Sequence, residues 1–242
     1  MFNKRGQITI FIILSIFIVG VAFLFFMIEK NITSSPLETE SSEVHNFVSE
    51  CIEKEGSKMI YEVADGGGYF FPPEFSTNSG APIYYESGKN FMPLKEDIEN
   101  EISFFVDEVL FFCTRNFVDF HNLNISQGEI KTATTILDER VILEVEYPIS
   151  ISKGENIVLF REFSVEIPVR MGIVYESVNE YMNQQIKSEG ICLTCLLEIS
   201  LEKDLYINLV DYDEETTIFI FRDENSKLNN ETLTWVFGNK YE

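Results

Sequence analysis

The apolar positions of the chain follow three patterns in turn. From Ile8 to Ile28 there are 21 residues without a charge, interrupted only by Thr9, Ser15 and Gly20. At about 1.5 Å rise per residue, this run predicts a helix of roughly 31 Å, the thickness of a bilayer's hydrocarbon core. A polar linker follows over residues 31–41, where Pro36 disfavours helix at Ser35. Apolar residues then return at helical spacing. Val44, Phe47, Val48, Cys51, Ile52, Met59, Ile60 and Val63 predict a helix from Ser41 or Ser42 to about Val63, with Gly56 at a point of close packing. "DGGGYFFPPEF" ends it, and the chain to residue 94 reads as a long ordered loop or irregular hairpin. A second helix is predicted from after Pro93 to about Phe117. Its stripe is Ile98, Ile102, Phe105, Val106, Val109, Phe112 and Cys113, with Glu96 and Asp97 favouring its N-terminal dipole.

The period then changes to two. Val141, Leu143, Val145, Tyr147, Ile149 and Ile151 alternate with more polar residues. "KGEN" turns the chain, and Phe163, Val165, Ile167 and Val169 repeat the alternation. Pro148 and Pro168 mark edges or bulges in these strands. A weaker strand is expected around Ile130–Leu137. "GIVYESVNEYMNQQIK" predicts a third helix, and Cys192–Ser200 a short fourth. Strands over Leu205–Val210, Thr217–Arg222 and Leu233–Phe237 close the chain. The fold class is α+β: an N-terminal transmembrane helix, then an ectodomain of three to four helices packed on antiparallel β-strands. The expected division is 1–30 (cytoplasmic tip and transmembrane helix), 31–41 (linker), 42–127 (helices with a Gly/aromatic loop) and 128–242 (an α+β part with β-hairpins).

Charge adds a location. Lys4 and Arg5 precede the apolar run, while Glu29 and Lys30 cancel behind it. The positive-inside bias keeps the N-terminus in the cytoplasm and sends the rest outside. "FLFFMIEKN" has no small-x-small exit, so ordinary signal-peptidase cleavage is not expected. "KRGQITIF" resembles the class III signal peptides of archaeal type IV pilin-like proteins, which implies a cut between Gly6 and Gln7. Many pilins carry Glu at the fifth mature position, and Phe11 stands there in this chain. An uncut anchor and a pilin-type cut both remain open. "ECIEK", "GGYFFPP", "PIYYESGKNFMP", "CTRNF", "EFSVEIPVRMG" and "WVFGNKY" occur in that order behind the anchor. Together they resemble uncharacterised single-pass membrane proteins of small-genome archaeal lineages. That resemblance implies an archaeal cell surface and brings no activity with it. The formal net charge is −22 at pH 7. Because Lys4 and Arg5 precede the apolar run, the part beyond it has 16 Lys and Arg against 40 Asp and Glu, a balance of −24. This excludes nucleic acid and anionic lipid as partners of that part, since both are held by Lys and Arg.

Candidate chemistry is sparse. Four cysteines in an exported domain predict two disulfides. Cys51 and Cys113 lie on the stripes of two helices and meet if those helices pack together. Cys192 and Cys195 form a C-x-x-C, read as a local disulfide, with redox and metal roles as alternatives. His45 and His121 are the only histidines and are expected at the surface or at helix ends. No G-x-S-x-G or H-E-x-x-H occurs, and "GGG" at 66–68 lacks the ending of a phosphate loop. Tyr69, Phe70, Phe71, Tyr84 and Tyr85 form an aromatic loop that either offers rings to a ligand or packs onto the helices. Asp211, Asp213, Glu214 and Glu215 gather oxygen ligands in one turn, a candidate Ca²⁺ site without the bend glycine of known loops. Asn31, Asn124 and Asn230 open N-x-S/T sequons.

The expected function is a non-enzymatic structural or binding role at the cell envelope, with no cofactor. The expected location is the plasma membrane, spanned once by residues 8–28, with envelope proteins or like subunits as the expected partners. A pilin-like filament subunit is the first alternative. An envelope thiol-disulfide protein using the C-x-x-C is the second.

Overall fold

The structure, a computed structural model, describes residues 14–23, 36–188, 190–228 and 230–241. Residues 14–23 are helical and exposed (α1). Gly6, Gln7, Asn31 and the two ends of the 8–28 run lie outside the described residues. Among the described residues, no helix is long and apolar enough to cross a membrane. Helix α2 (Pro36–Asp65) starts at the sixth residue of the expected linker, which corrects that boundary. Proline is tolerated at a first helical position, where its missing N–H has no intrahelical partner to lose. The contacts divide the chain into two units, Met1–Glu43 and Val44–Glu242.

The second unit is mixed α+β with two sheets. The first sheet is built on β5 (Val141–Lys153), flanked along one side by β6 (Asn156–Ile167). Its other side is shared by β4 (Lys131–Ile136), opposite the first half of β5, and β3 (Asn124–Gln127), opposite the second. The expected hairpin is present, with the two-residue turn Gly154–Glu155 between paired Lys153 and Asn156. Pro148 lies inside a strand paired on both sides, at the point where the register shifts against β6. There the bulge removes the need for the N–H that proline lacks, so Tyr147 and Ile149 both stay buried. The boundary expected at 127/128 falls inside this sheet and does not divide the structure, because β3 and β4 pair with the same strand.

Helix α2 crosses the apolar face of this sheet. Its residues Val48, Cys51, Ile52, Met59, Ile60 and Val63 are buried. Gly56 meets Leu143 and Ile167 so closely that a Cβ there would stand 2.2 Å from Leu143 Cδ1. The helix ends at Asp65 and is followed by Gly66, Gly67 and Gly68. Gly67 has φ +59, and a Cβ on it would lie 2.3 Å from the Val236 carbonyl of the other sheet. Only glycine fits that left-handed backbone in such close approach.

The second sheet has the order β2–β1–β9–β8–β7, with β1 (Ile83–Glu86), β2 (Lys89–Asn90), β7 (Tyr206–Asp211), β8 (Thr216–Leu228) and β9 (Glu231–Lys240). Its pairs are antiparallel except β1 with β9, which is parallel and corrects the all-antiparallel expectation. Tyr84, Phe237 and Phe219 stack across three adjacent strands, at centroid distances of 4.6 and 5.2 Å. Helix α4 (Met171–Gln185) covers them through Tyr181 and sets Tyr175 against Trp235. A shorter helix, α5 (Leu193–Lys203), follows it.

Helix α3 (Lys95–Thr114) lies along the outer edge of β4. Glu99 Oε1 accepts the Ile136 N–H at 2.8 Å, and Ser103 Oγ accepts the Thr134 N–H at 3.0 Å. Asp107 faces Thr132 one step further on. The Thr132 hydroxyl and N–H favour the ionised carboxyl, although Asp107 Oδ1 and Thr132 Oγ1 complete no hydrogen bond of good geometry among the described residues. Burial outweighs that help, and Glu108 and Glu129 add to it, so the Asp107 pKa is raised. A raised carboxyl binds its proton more tightly when folded. Stability therefore rises as pH falls through the raised value, and the full penalty applies above it. Asp107→Asn keeps an acceptor for the Thr132 N–H and removes the charge. It is expected to raise the urea midpoint at pH 7, by a margin that shrinks as the pH approaches 4. A margin that is constant or grows on acidification contradicts this account.

Candidate functional site

Cys51 on α2 and Cys113 on α3 form a disulfide with Cα atoms 5.8 Å apart. The stripes bring them together because both helices face the first sheet. The bridge borders a groove of about 550 Å³ lined by Phe47, Glu50, Lys54, Val109, Phe112 and Arg115 among others. Immediately beyond it, Arg115, Asn116 and Phe117 all take positive φ, between 44 and 57°. For residues with a Cβ such a conformation costs about 1–2 kcal/mol each. It ends α3 three residues before the expected boundary, directs Phe117 into the core against Tyr147, and leaves Arg115 exposed beside Asp119.

Cys192 and Cys195 are also bridged, with Cα atoms 5.3 Å apart. Cys192 is the N-cap residue of α5, so the pair occupies the first turn of a helix. Among the described residues, the element before that helix is α4 and the one after it is β7.

The aromatic loop divides into two sets. Tyr84 and Tyr85 are buried. Tyr84 donates a hydrogen bond to Gly67 O at 2.5 Å and accepts one from Trp235 Nε1 at 3.2 Å. Burial holds its pKa well above the ordinary tyrosine value. These two rings belong to the core and are not open to a ligand. Tyr69 and Phe70 are half-buried, and Phe71 is exposed. Phe70 stacks on Phe105 of α3 at 4.0 Å, its N–H held by Glu101 at 3.1 Å.

The acidic turn is a hairpin connection between β7 and β8. Asp213 Oδ1 accepts the N–H groups of Glu215 and Thr216 at 3.0 and 2.7 Å, which lowers its pKa. This is a carboxylate serving its own turn. Asp211, Glu214 and Glu215 do not join it in a cluster fit for a metal ion, and no such cluster occurs among the described residues. Asn124 and Asn230 are exposed, the first in β3 and the second between β8 and β9. His121 is exposed. His45 departs from the surface expectation, since it is half-buried with its ring 4.9–5.0 Å from those of Phe163 and Phe160.

Two buried polar networks carry no motif. Arg170 donates to Asp223 Oδ1 at 2.8 Å and to Lys203 O at 2.6 Å, and Ser226 donates to Asp223 Oδ2 at 2.6 Å. Tyr61 lies near enough to Asp223 that burial and this charge push its pKa up to about 12. Gln185 Oε1 accepts from Tyr181 and Tyr241 at 2.6 and 3.1 Å. Nothing in the local sequence distinguishes these residues, which come from distant segments.

The fold and its bridges define a two-sheet α+β domain closed by two disulfides. No protein-family model, no curated protein and no solved structure matches the chain.

The two bridges differ in the chain they close. Cys51 and Cys113 are separated by 62 residues and Cys192 and Cys195 by 3. Chain-entropy arguments give about 4 kcal/mol for the first and about 1.5 kcal/mol for the second. Replacing Cys51 and Cys113 by Ala is therefore expected to lower the unfolding free energy by at least twice as much as replacing Cys192 and Cys195. Urea denaturation of the two double variants measures this, and equal losses contradict it.

Proposed function

We propose that the chain is a non-enzymatic protein of the cell envelope, held in the membrane by residues 8–28 and acting outside through contacts with other proteins. The observation that carries this reading is the bridging of all four cysteines. Paired disulfides persist in oxidising surroundings and are rare where glutathione keeps thiols reduced. The uncharged run Ile8–Ile28 and the acidity of the rest agree with an anchored, solvated ectodomain. Asn124 and Asn230 would then be open to glycosylation. In the pilin-like form of this proposal, cleavage after Gly6 frees Gln7 and the apolar helices assemble side by side.

N-terminal sequencing of the protein isolated from its host membranes tests the proposal, together with protease treatment of intact cells. The expected result is an N-terminus that includes Lys4 and Arg5, with residues beyond 31 cleaved from outside. A start at Gln7 replaces the anchor by the pilin-like subunit. Protection of residues 31–242 in intact cells, or free thiols at Cys51 and Cys113, overturns the envelope reading.

A second reading, thiol–disulfide exchange, is favoured by the position of Cys192 and Cys195 in the first turn of α5. Helix N-termini lower thiol pKa values and so favour the thiolate. If exchange is the function, Cys192→Ser with Cys195→Ser removes the bridge that a dithiol reduces first, leaving only Cys51–Cys113 to be reduced, and abolishes the host phenotype while leaving the fold intact. An unchanged phenotype removes this reading.

A further inference from the structure

We propose that the outward side of α3, with Phe70 and Phe71 beside it, is the docking surface for a basic amphipathic helix of a partner protein. This deepens the contact role proposed above and rests on it. Phe71, Phe104, Phe111 and Phe112 are 67, 58, 45 and 71% exposed. Their rings are not scattered. Phe70, Phe71 and Phe104 all contact Phe105, at centroid distances of 4.0–5.6 Å, and Phe111 contacts Phe112 at 5.7 Å. Phe104 and Phe111 are seven residues apart, as are Phe105 and Phe112, so each pair returns to the same side after about 10.5 Å. The ridge runs from the 70–71 loop into the groove beside the Cys51–Cys113 bridge, which Phe112 also lines. A strip of that length, with a groove at one end, suits two to three turns of a helix bearing apolar residues at i, i+3, i+4 and i+7.

The charges select the occupant. Both cations at the groove are already paired: Lys54 with Glu55 at 3.1 Å, and Arg115 with Asp119 at 3.3 Å. Glu108 stands between the two phenylalanine pairs and Glu50 on the facing wall. Both are exposed, without an ion-pair partner among the described residues. The chain as a whole carries −22. Lysine or arginine flanking an apolar stripe would meet these carboxylates. A second copy docked through the same face would bring like charges together. A lipid surface is held by basic residues around the apolar ones, the reverse of what surrounds this ridge. The ridge is also preorganised, because the helix beneath it is tied to β4 by Glu99 and Ser103 and to α2 by the bridge.

The test uses the full-length protein in neutral detergent micelles and a fluorescent 18-residue Leu/Lys amphipathic peptide, read by anisotropy. The wild type should bind saturably with one peptide per chain. Phe104→Ser, Phe111→Ser and Phe112→Ser combined should weaken binding at least tenfold, and Glu50→Lys with Glu108→Lys at least threefold. A Leu/Glu peptide of the same pattern should not bind. Retention of the Cys51–Cys113 bridge and of the wild-type urea midpoint confirms that the variants fold, and single Phe→Ser variants replace the triple one if it does not. The proposal is overturned if the wild type does not bind, if the Phe variants bind as the wild type does, or if the Leu/Glu peptide binds equally well. Phe-dependent self-association in place of peptide binding assigns the ridge to a second copy. Phe-dependent binding to phosphatidylcholine vesicles without peptide binding assigns it to lipid. Neither result bears on whether the protein is exported, which the mature N-terminus and cell-surface proteolysis decide separately.

Discussion

An unpaired strand edge leaves every second N–H pointing outward, and along β4 that row is met by side chains of α3. Four residues of helix advance about 6.0 Å, and two residues of strand about 6.7 Å. Acceptors at Glu99, Ser103 and Asp107 can therefore keep step with Ile136, Thr134 and Thr132 over two turns before the spacings drift apart. The third contact is where fit is worst: Asp107 and Thr132 leave oxygens without good hydrogen bonds. This edge fixes α3 on the first sheet, and the Cys51–Cys113 bridge then fixes α2 to α3. Since the turn that follows α2 sets Gly67 against the Val236 carbonyl, the first sheet, two helices and the second sheet are joined in series.

Most elements of this arrangement were legible because their burial follows a simple period. The alternation from Val141 to Ile151 survives intact in β5, even across the bulge at Pro148. Sequence suggested a bulge or an edge there, and a central strand accommodates the first. β3 was not foreseen, since its four residues alternate only between exposed and half-buried. The parallel pairing of β1 with β9 was also hidden. It joins segments some 150 residues apart, and no local pattern encodes which distant strand completes an edge. Pro36 misled in a simpler way, because the rule it invokes restricts the residue before proline and permits helix from the proline onward.

The candidate site was less legible, for reasons that differ by residue. The Cys51–Cys113 pairing could be read because helical stripes report direction as well as burial. The same stripe placed Phe112 inward, whereas the buried face of α3 is Ile98, Ile102, Val106 and Leu110. Including Leu110 and giving less weight to the aromatics would have turned the helix correctly. For Tyr84 the sequence leaves ligand binding and packing both open. Its hydroxyl bonds the left-handed turn at Gly67 to Trp235, a packing role defined only once three segments meet. Arg170 and Asp223 gave no local signal, being 53 residues apart and ordinary in their neighbourhoods.

Helix α3 has three chemically distinct sides, and together they explain why attention falls on the last. Ile98, Ile102, Val106 and Leu110 repeat every four residues and fill the core. Glu99, Ser103 and Asp107 repeat with the same spacing one residue later, about 100° around the helix, and serve β4. These two sides meet the structural demands on the helix, so the third is free to carry whatever solvates best. Lysine and glutamate would serve there and would favour helix more than phenylalanine does. The chain places Phe104, Phe111 and Phe112 on it instead, at exposures that leave large apolar area in water. Among the described residues, these side chains remain 45–71% exposed, so packing within the fold does not account for that choice. An aromatic surface on a rigid helix, bordered by carboxylates, is costly to leave bare and well suited to being covered. The same constraint that ties one side of α3 to β4 thus holds the other side in a fixed form for recognition.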